Sequence, residues 1–151
     1  MLRLFDLPAH PLMVHFPVVA IPTLAIVAII MVFRPEFRRR YALAATILGI
    51  VTTIATFLAA SSGTALAEEF QLGDEQIGTH RELGETLRFF VLGLTVTMVG
   101  MVAVARRENA TNRDPLSMVI GLIGIAFAAL SLIWVIRTGH AGASSVWGNV
   151  F

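Results

Sequence analysis

Four long apolar runs separated by short polar segments organise this chain. They are Pro11 to Phe33, Tyr41 to Ala60, Phe89 to Ala105 and Leu116 to Ile136. A membrane-crossing helix needs about 20 mainly apolar residues. Each run is long enough, and none carries a charge in its middle. The pattern predicts spans at about 11–33, 41–60, 81–105 and 116–137, in one integral membrane domain covering 1–151. The expected fold is all-α: a four-helix transmembrane bundle of two antiparallel hairpins. The first run holds Pro17 and Pro22, and its leader balances Arg3 against Asp6. It therefore reads as an uncleaved, kinked helix rather than a signal peptide.

Basic residues orient the spans. Arg34, Arg38, Arg39 and Arg40 lie between the first two runs, and Arg106, Arg107 and Arg113 between the last two. The positive-inside rule places both short arginine loops in the cytoplasm. Both termini and the segment from Ser61 to His80 then face outward. Small residues mark close-packing faces: Ala45, Gly49 and Thr53 with Thr52 and Thr56 in the second run, and Gly121 and Gly124 in the fourth.

Composition narrows the chemistry. The chain is 56% hydrophobic and 14% charged, against roughly 25% charged in soluble domains. A net charge of +1 gives no reason to expect nucleic acid. Cysteine is absent, which removes disulfides, thiolate metal sites and cysteine nucleophiles. Lysine is absent too, so Schiff-base chemistry is excluded.

All four histidines fall at one end of the expected bundle, and imidazole is the commonest biological metal ligand. His10 and His15 share Ala9-His10-Pro11-Leu12-Met13-Val14-His15-Phe16-Pro17. Pro11 suits a first helical turn, which puts His10 in the entry segment and His15 one turn inside. His15, flanked by Val14 and Phe16, is expected to be desolvated and neutral, the ligating form. A structural reading stands beside it, an imidazole bonded to a carbonyl freed by Pro17. His80 lies in Thr79-His80-Arg81-Glu82-Leu83-Gly84, where Thr79 and Glu82 have capping-box spacing; a start near Asp74 is the alternative. Gly84, one turn below His80, removes a side chain where a flat ring could lie. Arg81 and Arg88 are placed for ion pairs, a haem propionate or lipid phosphate. His140 sits between Gly139 and Gly142, which suggests a helix end. A weak internal echo sets His15 and Ser62-Gly63-Thr64-Ala65 against His80 and Thr138-Gly139-His140-Ala141.

The string His10-Pro11-x-x-Val14-His15-Phe16-Pro17, with Gly139-His140-x-Gly142-Ala143, resembles a bacterial membrane family known as domain of unknown function 2231. The resemblance covers nearly the whole chain. It implies a small four-span domain in a multi-pass bacterial inner membrane protein. Relatives beside or fused to cytochrome domains imply a redox setting.

Three functional readings follow. The first is one b-type haem near the outer face, exchanging electrons with a quinol or a periplasmic carrier. It needs two imidazoles from different helices and a flat apolar slot. His15 and His80 are the first choice of axial pair, with His140 as substitute and Gly84 and Gly139 lining the slot. The second is a Zn or Cu site from His10, His15, His80 and His140. The third is a non-catalytic accessory or assembly subunit of a larger membrane complex, or a homo-oligomer. The chain reads as an electron-transfer or accessory protein rather than a stand-alone enzyme.

Overall fold

The structure, a computed structural model, describes residues 3–4, 7–105 and 115–148. Asp6 and the arginines 106, 107 and 113, used above to orient the chain, lie outside the described residues. Two short strands, β1 (Arg3–Leu4) and β2 (Leu7–Pro8), pair antiparallel with Leu4 opposite Leu7. The hydrophobic pattern gave no sign of this ladder, because two-residue strands are too short for a period. Four helices follow: α1 (Ala9–Phe33), α2 (Pro35–Glu69), α3 (Asp74–Ala105) and α4 (Pro115–Trp147). Each is long and apolar enough to cross a membrane.

The helices outrun the apolar runs. α1 holds Pro17 and Pro22 internally, and the Thr23 hydroxyl beside Pro22 donates to the Val19 carbonyl at 2.9 Å. Only Arg34 separates α1 from α2, whose first turn opens on Pro35, where a missing N–H costs nothing. Arg38, Arg39 and Arg40 therefore belong to α2 rather than to a loop, and Arg38 is 2% exposed. α2 continues past Ala60 to Glu69 and stops in a Schellman arrangement. Leu72 N–H donates to the Ala67 carbonyl and Gln71 N–H to that of Glu68. Gln71 takes the left-handed position, φ 51°.

α3 begins at Asp74, five residues before the Thr79–Glu82 box, so His80 lies inside the helix. α4 runs through Gly139, His140 and Gly142 to Trp147, where the sequence suggested an end. Glycine costs a helix only about 1 kcal/mol, which continued packing outweighs.

α1 and α3 each pack against both α2 and α4, and touch lightly across the diagonal. The interior is Ile21, Leu24, Ala25, Ala28 and Met31 from α1 against Leu87, Val91, Leu94, Met98 and Met101 from α3, closed by small residues of α2 and α4. Val19, Leu43, Leu122 and Ile136 lie exposed on outer faces, as lipid contact requires. Gly49 admits Thr95, whose hydroxyl reaches the Gly49 carbonyl at 3.1 Å.

The two hairpins repeat each other. Seventy positions separate His10 from His80, and the same offset carries the buried Pro17, Ile21, Leu24, Ala25, Ala28 and Met31 onto Leu87, Val91, Leu94, Thr95, Met98 and Met101, also buried. An offset of seventy-nine carries the buried Arg38, Ala45, Gly49, Thr52 and Thr56 of α2 onto Ser117, Gly124, Ala128, Ser131 and Val135 of α4, also buried. Inward-facing positions recur in register although few residues are identical.

Candidate functional site

The first turns of α1 and α3 and the late turns of α2 and α4 enclose a cavity of about 450 Å³. Its walls are mainly apolar: Val14, Pro17, Val18 and Ile21 of α1, Ala59, Ala60 and Leu66 of α2, Leu87 of α3, and Val135 and Val146 of α4. Thr56, Arg81, Glu85 and Ser145 add polar groups.

Two imidazoles enter this cavity, from His10 and His80. Their ring centres stand 6.2 Å apart and their planes cross at 78°. Each is tied down in the same way. His10 Nδ1 lies 3.0 Å from the Ala59 carbonyl and 3.0 Å from Ser62 Oγ, and the Ser62 hydroxyl itself donates to Ala59 at 2.8 Å. His80 Nδ1 lies 2.9 Å from the Thr138 carbonyl. A carbonyl oxygen only accepts, so Nδ1 carries the proton in both rings. In the neutral form each Nε2 then keeps its lone pair. Neither Nε2 has a hydrogen-bond partner among the described residues.

Glycine seats each ring. A Cβ on Gly63 would fall 2.9 Å from His10 Cε1, and one on Gly142 would fall 2.9 Å from His80 Cε1. Gly63 follows Ala59 by one helical turn, and Gly142 follows Thr138 by one turn. The hairpin repeat thus includes imidazole, carbonyl anchor and glycine seat: His10, Ala59 and Gly63 in one half, His80, Thr138 and Gly142 in the other. The repeat pairs His10 with His80, where the sequence echo had paired His15 with it.

The structure brings together His10, His80, Gly84 and Gly139 of the residues proposed from sequence. Gly139 faces open space, and a Cβ on Gly84 would meet only Thr138, at 3.9 Å. His15 and His140 are not brought to the cavity. Both are exposed, and the His15 Nδ1 bonds the Pro11 carbonyl of its own helix at 2.5 Å. Helix geometry is the reason. α1 starts at Ala9, so His10 is already helical, and five residues at 3.6 per turn send His15 to a different face. His140 lies two residues from both Thr138 and Gly142, which puts it on the opposite side of α4 from the residues that meet His80. Sequence reasoning missed the roles of Gly63, Gly142 and the two carbonyls. The signal was the spacing of four between anchor and glycine in each half.

Aromatic and cationic groups ring the same end. Arg88 lies over Phe57 and Phe89, at 5.4 and 5.1 Å, and Arg137 over Trp134 at 5.2 Å. The Thr138 hydroxyl, in the cavity wall, is buried without a hydrogen-bond partner among the described residues.

No curated protein and no solved structure matches this chain. One family model does, over residues 6–150, with the description "Predicted membrane protein (DUF2231)". With that match spanning almost its entire length and four helices able to cross a bilayer, the chain belongs to this membrane protein family.

Proposed function

We propose that this chain is an integral membrane haem protein of the bacterial inner membrane. Two antiparallel hairpins, with both termini extracytoplasmic, hold one b-type haem at the outer face, where electrons are exchanged. The observation that carries this reading is the convergence of His10 and His80. They come from separate hairpins, their ring centres are 6.2 Å apart, and their Nδ1 protons are engaged by carbonyls. Two imidazoles on one metal, with metal–nitrogen bonds of about 2 Å, have ring centres about 6 Å apart. A metal-ligating histidine commonly donates its other ring N–H to a carbonyl, which fixes tautomer and orientation.

The donor count selects haem over a bare ion. A Zn²⁺ site takes about four ligands. Among the described residues no group of three or more His, Cys, Asp or Glu side chains could hold a metal ion. Haem brings four equatorial nitrogens of its own and asks the protein for two. The 450 Å³ cavity falls within the roughly 300–1,000 Å³ of small-molecule and cofactor sites, and its walls are mainly apolar, as such sites usually are. His10 and His80, rather than His15 and His80, would hold the haem. Arg81, at the cavity wall, is placed to meet a propionate. When bound, haem supplies one-electron exchange, with a quinol or a periplasmic carrier as partner.

The test is a visible spectrum of the purified protein, oxidised and dithionite-reduced. A Soret band that shifts on reduction is expected. His10→Ala and His80→Ala should each abolish it, while His15→Ala and His140→Ala keep it. A colourless protein with stoichiometric Zn or Cu would overturn the haem reading in favour of an ion. A colourless, metal-free protein that copurifies with a respiratory complex would make it an accessory subunit.

A further inference from the structure

We infer that this site, if it holds haem as just proposed, is closed: His10 and His80 occupy both axial positions, and Gly63 and Gly142 act as positioning residues that keep both rings there. A haem site that reacts with dioxygen needs one strong ligand and one open or labile position. Here both imidazoles share the same principal anchor, with Ser62 adding a second contact at His10. Each comes from the same register of its hairpin, and each Nδ1–H donates to a backbone carbonyl, at 3.0 Å for His10 and 2.9 Å for His80. Each ring lies against a glycine where a methyl group would intrude to 2.9 Å.

A backbone carbonyl within a helix does not swing away as a side chain does. Both rings are therefore held in one orientation before any ligand arrives. That orientation is unusual in a measurable way. The planes cross at 78°. Near-perpendicular imidazole planes give low-spin ferric haem a single line at lower field than coplanar rings give. They also raise the reduction potential relative to coplanar rings, because the iron orbitals lose a shared stabilising direction. The chemistry this leaves is outer-sphere electron exchange, with no bond to iron made or broken.

The experiment uses the full chain purified with its pigment. Ferric protein is examined by electron paramagnetic resonance, and dithionite-reduced protein is exposed to carbon monoxide. The expected result is one low-field low-spin line and no change of the Soret band with carbon monoxide. Gly142→Ala shifts the His80 ring from its seat and should weaken its hold without removing it, so that the pigment stays and carbon monoxide can displace His80. Gly63→Ala should do the same from the other side. A carbon monoxide adduct in the unmodified protein, or a high-spin ferric signal, overturns the closed site and leaves the haem reading standing. A colourless protein defeats the haem reading and this inference with it. Should Gly142→Ala lose its pigment altogether, the unmodified protein's two spectra still decide.

Discussion

Two hydroxyls in the bundle interior set up a stability experiment with an unusual sign. Thr52 and Ser131 are 0% exposed, and neither hydroxyl has a hydrogen-bond partner among the described residues. A helical Thr or Ser ordinarily donates to the carbonyl four residues back. Thr56 does so, to Thr52 at 2.7 Å. Thr52 and Ser131 do not, and no water is expected to compete for them in a bilayer interior. A buried donor left unmade costs about 1–3 kcal/mol. Valine keeps the branched shape of threonine and replaces the hydroxyl by a methyl, so Thr52→Val removes the cost without opening a void. Inside a membrane the unfolded helix leaves the same hydroxyl partly unsatisfied, which puts the net gain near the lower end, about 1 kcal/mol. Ser131→Ala trims the hydroxyl but leaves a small gap, so its gain is about half as large. Both residues hold the same register in their hairpins but sit on α2 and α4, across the bundle, so the double variant should be additive within about 0.5 kcal/mol. Equilibrium unfolding in mixed micelles reads the difference as a shift in midpoint at unchanged slope. Destabilisation of 1 kcal/mol or more by Thr52→Val would refute the reasoning, since it would mean the hydroxyl is satisfied by a bound water or a neighbour.

Other expectations follow from single positions. Gln71 holds φ 51° at the Schellman turn after α2, so Gln71→Gly should raise stability by about 0.5–1 kcal/mol in the same unfolding assay. Leu24 and Leu94 are equivalent in the two hairpins and both 0% exposed; Leu24→Ala and Leu94→Ala should each cost about 2–5 kcal/mol, and a difference between them larger than about 2 kcal/mol would contradict their equivalence. A Cβ on Gly93 would stand 2.4 Å from Phe127, so Gly93→Ala must displace that ring and should lower stability by about 1–3 kcal/mol, with most of the loss recovered in Gly93→Ala/Phe127→Leu.

What the sequence revealed depended on scale. The four spans were plain because 20-residue apolar runs have few competing explanations. Helix ends were less plain. α2 and α4 project beyond the apolar runs through Ser62-Gly63-Thr64 and Gly139-His140-Ala141-Gly142, stretches whose glycines imitate caps. Gly63 and Gly142 are packing seats for imidazoles, and a histidine ring more than fifty residues away leaves no local trace of the contact. Gly63 lies 53 positions from His10 in the chain, and Gly142 lies 62 from His80. The choice of His15 over His10 followed from treating Pro11 as the edge of the helix. Because α1 begins at Ala9, Pro11 lies inside the first turn and His10 comes with it. The grouping of His10, His80, Gly84 and Gly139 at one end of the bundle was readable, since it needs only helical spacing. The orientation of a ring, and the carbonyl that fixes it, requires tertiary contact.

The hairpin repeat explains why the site lies where it does. If each hairpin contributes one imidazole at the same register, the two rings meet where the hairpins face each other. They would then lie at similar depth, related by an approximate two-fold axis along the bundle. Such an axis restricts what can occupy the site. A ligand with one head and one tail would find one half of the walls mismatched, whereas a metal-centred macrocycle presents both faces alike to the two histidines. The departures from symmetry then become informative. Ser62 backs His10, but its counterpart Ala141 gives His80 no second bond. Val14, on the wall below His10, is answered by Gly84 below His80. Arg81 on the wall is answered by Pro11. These differences place open space and Arg81, with Glu85 on the same wall, on the α3 side; a planar ligand with an acidic edge would turn that edge toward the guanidinium and pass its plane over Gly84. Exchanging the charge across the axis, with Arg81→Gln and Pro11→Arg together, should invert that preference. If the site holds haem as proposed above, the inversion would be read as exchanged haem methyl shifts in the NMR spectrum of the ferric protein. An unchanged pattern would show that the shape of the walls, and not the arginine, sets the orientation.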